Sequence, residues 1–199
     1  MVSLIRMFKP ADIITISSQL QEGAVGIFPF DTLLGMTGVV SETVIKRIQT
    51  IKKRVDQPFI VILPNYNHLL DWVAPLTSHQ EHVLRCYWPG PITFIFKKHD
   101  SVPDYVTANK DTIAIRLVEF LPVNFLLRQL QQPILSTSVN ITGDPACMTI
   151  NDCSEDLLIQ MDFVLDSCQT LYQQPSTIVD FSGDEPVLLR QGVISYETI

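Results

Sequence analysis

Apolar residues recur along this chain in two periods, one of helices and one of strands, and the two take turns. After Pro10 and Asp12, the positions Ile13, Ile16 or Ser17, and Leu20 share one side of a helix, which Gly23 is placed to stop. Residues 24–30 read as a short apolar strand, followed by a bend at Asp31-Thr32 and a glycine-spaced segment from Gly35 to Gly38. Such glycines serve turn geometry or close backbone approach to a ligand. Ser41 can cap the next helix, whose Val44, Ile45, Ile48 and Ile51 form one stripe. That helix runs into Lys52-Lys53-Arg54 and must end before Pro58. Residues 59–63 are a continuous apolar strand, 65–73 a short helix, and Thr77 with Gln80 resembles a capping box opening another. Trp88-Pro89-Gly90-Pro91 is a rigid turn into a strand over 92–96. Residues 112–117 alternate, setting Thr112, Ala114 and Arg116 on one face, and 125–130 are helical. A helix over 152–159, a strand over 163–166 and a hairpin (176–181, then 187–190) complete the pattern. Helices alternating with strands and ending in a hairpin predict an α/β fold, with an open sheet of mixed parallel and antiparallel strands and flanking helices, in a single domain over 1–199.

Composition narrows the function. With 199 residues, 46% of them hydrophobic, the chain can build one real core. Its net charge of −7 argues against a protein that grips nucleic acid through bulk positive charge, although a few placed cations can still hold phosphate. MVSLIRMFKP has no long apolar core of a signal peptide and no 18-residue apolar run follows, so a cytoplasmic protein with no membrane partner is expected. Cys86, Cys147, Cys153 and Cys168 form no C-x-x-C pair and read as reduced thiols. His79 and His82 with Glu81 sit on an exposed helix start at loose spacing, and no metal site is expected there.

The stretch QPILSTSVNITG, residues 132–143, is the most informative. Alternation puts Ser136, Ser138 and Asn140 on one face and Leu135, Thr137, Val139 and Ile141 on the other. This is either a ligand-binding rim or an ordinary strand followed by an Asx-type turn. Lys52 and Arg54 are equally open. They complement a helix C-terminus, or they converge on one ligand, which requires the chain to be extended there because residues two apart on a helix diverge. The phosphate-loop, dinucleotide and serine-hydrolase motifs are absent. What remains is a set of cations (Lys52, Arg54, Arg116, Arg190) and small polar groups (Thr32, Thr112, Ser136, Ser138, Asn140, Thr149, Ser176), suited to an anionic ligand.

These residues sit in segments that resemble the YrdC/TsaC family of threonylcarbamoyl-AMP synthases. The segments are FPFDTLLG (28–35), K-x-R (52–54), WPGPITFIF (88–96), TIAIR (112–116), STSVN-ITG-x-P (136–145), STIVD (176–180) and LLRQG (188–192), in family order over roughly residues 10 to 195. The resemblance implies a twisted α/β sheet with a large concave pocket, in the single-domain form. It implies that L-threonine, bicarbonate and ATP, with Mg²⁺ carried by the phosphates rather than by side chains, become threonylcarbamoyl-adenylate and pyrophosphate, for threonylcarbamoyladenosine in tRNA. Carried over by motif, Thr32, Arg116, Ser138 and Ser176 contact threonine, and Lys52, Arg54, Thr112, Asn140, Thr149 and Arg190 hold ATP, with Lys52, Arg54, Ser138 and Asn140 nearest the chemistry. The resemblance further implies that tRNA or the subunits of a tRNA-modifying complex receive the product. Departures from the pattern at Phe30, Leu34, Gln57 and Val118 fall near the expected threonine and carbonate side. They leave two alternatives: a relative acting on another amine, and a non-catalytic RNA-binding or ribosome-maturation module.

Overall fold

A computed structural model of the chain describes residues 3–5, 9–54, 57–166, 170 and 172–198; Cys168 lies outside them. In chain order the strands and helices are β1 (Ser3–Ile5), α1 (Pro10–Gln21), β2 (Gly26–Pro29), β3 (Leu34–Val39), α2 (Glu42–Lys52), β4 (Ile60–Ile62), α3 (Ser78–Tyr87), β5 (Ile92–Lys97), α4 (Asp104–Thr107), β6 (Thr112–Arg116), α5 (Leu121–Leu130), β7 (Ile134–Ser138), α6 (Glu155–Leu158), β8 (Phe163–Leu165), β9 (Thr177–Asp180) and β10 (Val187–Arg190). The strands form one ten-stranded sheet in the order β1-β8-β2-β3-β7-β4-β6-β5-β9-β10. Pairing is parallel at β1/β8, β2/β8, β4/β6 and β5/β9 and antiparallel elsewhere, so the sheet is mixed and open.

The helices follow their stripes. Val44, Ile45, Ile48 and Ile51 of α2 are buried, and the Ser41 hydroxyl accepts from the Val44 N–H at 3.3 Å. Thr77 and Gln80 close a reciprocal capping box on α3. Helix α5 begins at Leu121, four residues earlier than the apolar period indicates, with Pro122 in its first turn. The helix expected over 152–159 is two pieces: a 3-10 turn at Ile150–Asp152, then α6, whose Ser154 hydroxyl accepts from the Leu157 N–H. A serine cap restarts the helix there.

Register decides what the sheet offers to a ligand. Gly35 faces Ser138, Thr37 faces Ser136, Ser136 faces Ile60, and Ile62 faces Arg116. Directly opposed residues share a face, so one side of the central strands is floored by small and polar groups, with Arg116 at its edge. The other side carries the helices: a Cβ on Gly38 would stand 2.5 Å from Val44 of α2. Gly35 has the matching role on the small-residue face, where a Cβ would stand 2.5 Å from the Phe30 ring. Gly35→Ala should therefore displace that ring and cost about 1–3 kcal/mol of stability, read as a fall in the midpoint of urea unfolding. Beneath β5 and β9, Phe94 stacks on Phe181 at 5.0 Å and meets Trp88 edge-on at 5.4 Å, one compact aromatic part of the core.

A cleft lined by arginines and hydroxyls

The small-residue face opens into a cleft of about 830 Å³, lined by Phe30, Thr32, Leu34, Arg54, Ile60, Ile62, Arg116, Ser136, Thr137, Ser138, Ser176 and Arg190 among others. Arg116 ends β6, yet it is only 3% exposed rather than a solvated edge charge. Its Nε donates to the Gly90 carbonyl at 2.9 Å, one terminal nitrogen to Thr32 Oγ1 at 3.1 Å, and the other to Asp31 Oδ2. Asp31 is 1% exposed and its second oxygen accepts the Thr32 N–H at 3.0 Å. Burial pushes the Asp31 carboxyl up, against the pull of Arg116 and of that N–H. Three of the five Arg116 N–H groups are thus used to hold it still, leaving two for a ligand.

Arg190 reaches the cleft through an irregularity in the final hairpin. Register shifts between Leu188 and Arg190, making Leu189 a bulge residue, and Arg190 comes to lie opposite Ile178. Its Nε donates to the Ser176 carbonyl and a terminal nitrogen to the Ser176 hydroxyl, both at 3.0 Å; that hydroxyl also meets Thr93 Oγ1 at 2.9 Å.

Lys52 and Arg54 do turn inward together, by a route the sequence did not indicate. The chain between them is not extended: Lys53 is left-handed (φ 49°, ψ 42°) and ends α2 sharply. Arg54 then donates to Thr137 Oγ1 at 2.9 Å and to the Pro58 carbonyl at 2.6 Å, with its guanidinium 5.1 Å above the Phe59 ring. Thr137, assigned by alternation to the apolar face, is therefore a cleft residue. Arg54 Nε is buried with no protein partner. Lys52 is 2% exposed, and its ammonium donates to the Ser138 carbonyl at 2.6 Å, the Asn140 carbonyl at 2.9 Å and Asn140 Oδ1 at 2.8 Å. Burial, then the Arg54 charge, lowers its pKa to about 8.

Strand β7 ends at Ser138, so Asn140 stands beyond the strand and does not continue its polar face. The two are joined instead by a 2.6 Å bond from Ser138 Oγ to Asn140 Oδ1, while Asn140 Nδ2 donates to the Asp144 carbonyl at 2.7 Å in a side-chain turn. Asn140 lines a second cavity, of about 920 Å³, with Asp144, Cys147, Met148, Asp152 and Leu157. Arg54 and Asn140 thus face adjoining spaces bridged by Ser138 and the Lys52 ammonium. Thr149 stands beside the second cavity with its N–H and hydroxyl on Asp152 Oδ2, at 2.7 and 3.0 Å. Thr112 is not drawn in. It shares a face with Arg116 but lies four residues back along β6, about 13 Å away at the usual rise, and does not line the cleft.

Of the four departures, Phe30 and Leu34 line the cleft, whereas Gln57 and Val118 do not. The functional residue that motif reading missed is Asp31. A lone carboxylate closing an apolar strand is itself a signal, since burial there demands a cation. Three guanidiniums on one cleft in a chain of net charge −7 leave local positive charge in excess. Burial works against the charge of Arg54, Arg116 and Arg190 alike, and a multiply charged anion would relieve that. Among the described residues no three His, Cys, Asp or Glu side chains are placed to hold a metal ion, and no helix is long and apolar enough to cross a membrane.

Fold and cleft together define a class: an open mixed α/β sheet whose concave, small-residue face gathers arginines and hydroxyls, a lining suited to an anionic ligand. A family profile described as "Telomere recombination" and named for Sua5, YciO and YrdC matches residues 18–192, and the chain belongs to the Sua5/YciO/YrdC family. It is 29% identical over 182 residues to the threonylcarbamoyl-AMP synthase of Pyrococcus abyssi, covering 90% of this chain and 54% of that protein. To the threonylcarbamoyl-AMP synthase of Vibrio campbellii it is 30% identical over 177 residues, covering 87% of this chain and 95% of that one. The solved structure of P. abyssi Sua5 complexed with L-threonine superposes with a TM-score of 0.91 at 27% identity, over all of this chain and 59% of that one. The chain therefore spans little more than half the length of the Pyrococcus relative.

Proposed function

We propose that this chain makes L-threonylcarbamoyl-AMP from L-threonine, bicarbonate and ATP, releasing pyrophosphate, in the cytoplasm and in the service of tRNA threonylcarbamoyladenosine. The observation that carries the reading is the meeting of Arg54, Arg116 and Arg190 with Thr32, Ser138 and Ser176 in one cleft. Curated relatives of the same family carry the name of that synthase, and the P. abyssi structure was solved with L-threonine.

In this reading the threonine carboxylate takes the two unused Arg116 N–H groups, near Thr32, with Ser176 and Ser138 along the cleft. The amine, as free base, adds to the carbon of bicarbonate with loss of water, giving a carbamate. A carbamate oxygen then attacks the α-phosphorus of ATP; the new O–P bond forms as the bond to the β-phosphate oxygen breaks, and pyrophosphate leaves. Arg54, Arg190 and Lys52 act by position and charge on the phosphates. Lys52 reaches them by exchanging an Asn140 contact. The nucleoside lies in the second cavity, by Asn140 and Thr149, with no contact from Thr112. A Mg²⁺ ion fits no protein cluster among the described residues and would arrive on the phosphates, so no step is assigned to it. Product transfer to tRNA, directly or through a modifying complex, follows the same reading.

Purified protein given threonine, bicarbonate, Mg²⁺ and ATP should release pyrophosphate in proportion to threonine. Folded protein that releases none would overturn the proposal. A carbamoyl-adenylate of another amine is the second reading, favoured by Phe30 and Leu34 in the cleft wall. A panel of amino acids in the same assay separates the two.

A further inference from the structure

We propose that Cys147 and Cys153 form a redox-modification site, where a hydroperoxide joins the two thiols in a disulfide that contracts the wall of the second cavity and weakens the use of ATP there. Disulfide formation stands on the arrangement of the thiols alone; its consequence for ATP rests on the synthase reading above. The spacing C-M-T-I-N-D-C matches no redox motif, yet the fold sets the two thiols in a hydrogen bond with each other. Both are free, 6% and 9% exposed. They are not equivalent. Cys147 lines the cavity and lies within electrostatic reach of the Lys52 ammonium. Cys153 does not line it, and its Sγ stands 3.7 Å from the Thr149 carbonyl. Burial, and then the Cys147 thiol, push the Cys153 thiol up, so it keeps its proton. A thiol on a cavity, beside an ammonium and backed by a protonated thiol, is placed as the attacking member of a pair.

The oxidant is a hydroperoxide, hydrogen peroxide being the simplest. The Cys147 thiolate attacks one peroxide oxygen and the O–O bond breaks. The hydroxide released takes up the thiol proton as water, and Cys147 carries a sulfenic acid. The Cys153 sulfur then attacks the Cys147 sulfur; the S–O bond breaks, and a second water leaves with the Cys153 proton. Two thiols have together lost two electrons and two protons, and one peroxide has become two waters. A dithiol reverses the change by exchange. A covalent S–S bond is about 2.05 Å long, far shorter than a hydrogen-bonded pair of sulfurs, so the segment between the two residues must contract. The Cys147 N–H is tied to the Val139 carbonyl at 2.9 Å, so the movement falls on the residues after it. Met148 and Thr149 lie there, with their N–H groups on Asp152 Oδ2, bordering the cavity assigned to the nucleoside.

The test treats the folded, full-length chain with hydrogen peroxide, blocks the remaining thiols with iodoacetamide, and maps cross-links by mass spectrometry. The expected product is a disulfide between Cys147 and Cys153, with Cys86 and Cys168 still open to alkylation. Oxidation should lower kcat/KM for ATP, read from pyrophosphate release, by roughly tenfold. Dithiothreitol should restore it, which an oxidised methionine would not allow. Threonine binding, followed by calorimetry, should stay as it was. In Cys153→Ala, with its unfolding midpoint checked, peroxide should give no disulfide and leave a Cys147 sulfenic acid that dimedone traps. A disulfide that forms only after unfolding in urea, pairing through Cys86 or Cys168, an oxidised chain that handles ATP as the reduced one does, or an equal loss of threonine binding would each overturn the inference. A reduced chain that binds ATP but releases no pyrophosphate overturns the parent reading; calorimetry with ATP still decides what the disulfide does.

Discussion

Asp31→Ala is expected to destabilise the protein by about 3–5 kcal/mol, read from urea unfolding, because it strands a guanidinium that is almost wholly inside the molecule. The size of the loss does not mean that the intact pair stabilises by as much. Desolvating Asp31 and Arg116 offsets most of their attraction, and the cost appears when one charge is left unanswered. Asp31→Asn is the sharper functional probe. It keeps the shape and an acceptor for the Thr32 N–H but removes the charge opposite Arg116. The guanidinium would still be held by Gly90 and Thr32, less firmly and on two contacts instead of three. If Arg116 takes the amino acid carboxylate, the KM for threonine should rise tenfold or more while the KM for ATP, bound through Arg54 and Arg190, changes little. Equal effects on both substrates would mean that Asp31 only supports the fold.

Much of this architecture is visible in the apolar periods. The stripe of α2, its Ser41 cap and the Thr77 capping box are where the residues indicate, because amphipathic period and capping chemistry are local properties. Strand β3 is not visible in that way. Gly35 and Gly38 weaken any strand pattern, and the reason they are there, the Phe30 ring against one face and Val44 against the other, is tertiary. The site shows the same division. Motif order nominates Thr32, Arg54, Arg116, Ser138, Ser176 and Arg190, and the fold gathers them. What brings them together is backbone detail that residue types do not announce: a left-handed Lys53, a bulge at Leu189, and a strand that stops at Ser138. Thr112 fails to join for a geometric reason, since alternation preserves the face of a residue but not its place along the strand.

Lys52 should set the alkaline limit of the reaction. Its ammonium is held near pKa 8 by burial and by Arg54, below the ordinary lysine value. Above that pH the folded chain loses a charge that the proposed mechanism uses on the phosphates, so kcat/KM for ATP should fall as pH passes about 8. Stability responds with the opposite sign. Between about 8 and the ordinary value of 10.5, the unfolded chain keeps the proton that the folded chain has released. More protons on the unfolded state mean that stability rises with pH through this window, the buried charge having been a burden. Activity falling while this contribution to stability rises is a signature that general alkaline unfolding cannot produce. Bound ATP brings negative charge to the ammonium and raises its pKa, so the midpoint in kcat at saturating ATP should lie above the midpoint in kcat/KM. Lys52→Met keeps the aliphatic stem and removes the charge. It should lower turnover on the order of 10²-fold and abolish the fall in rate above about pH 8. A limb that persists in Lys52→Met would assign the titration to another group and remove Lys52 from the phosphate site.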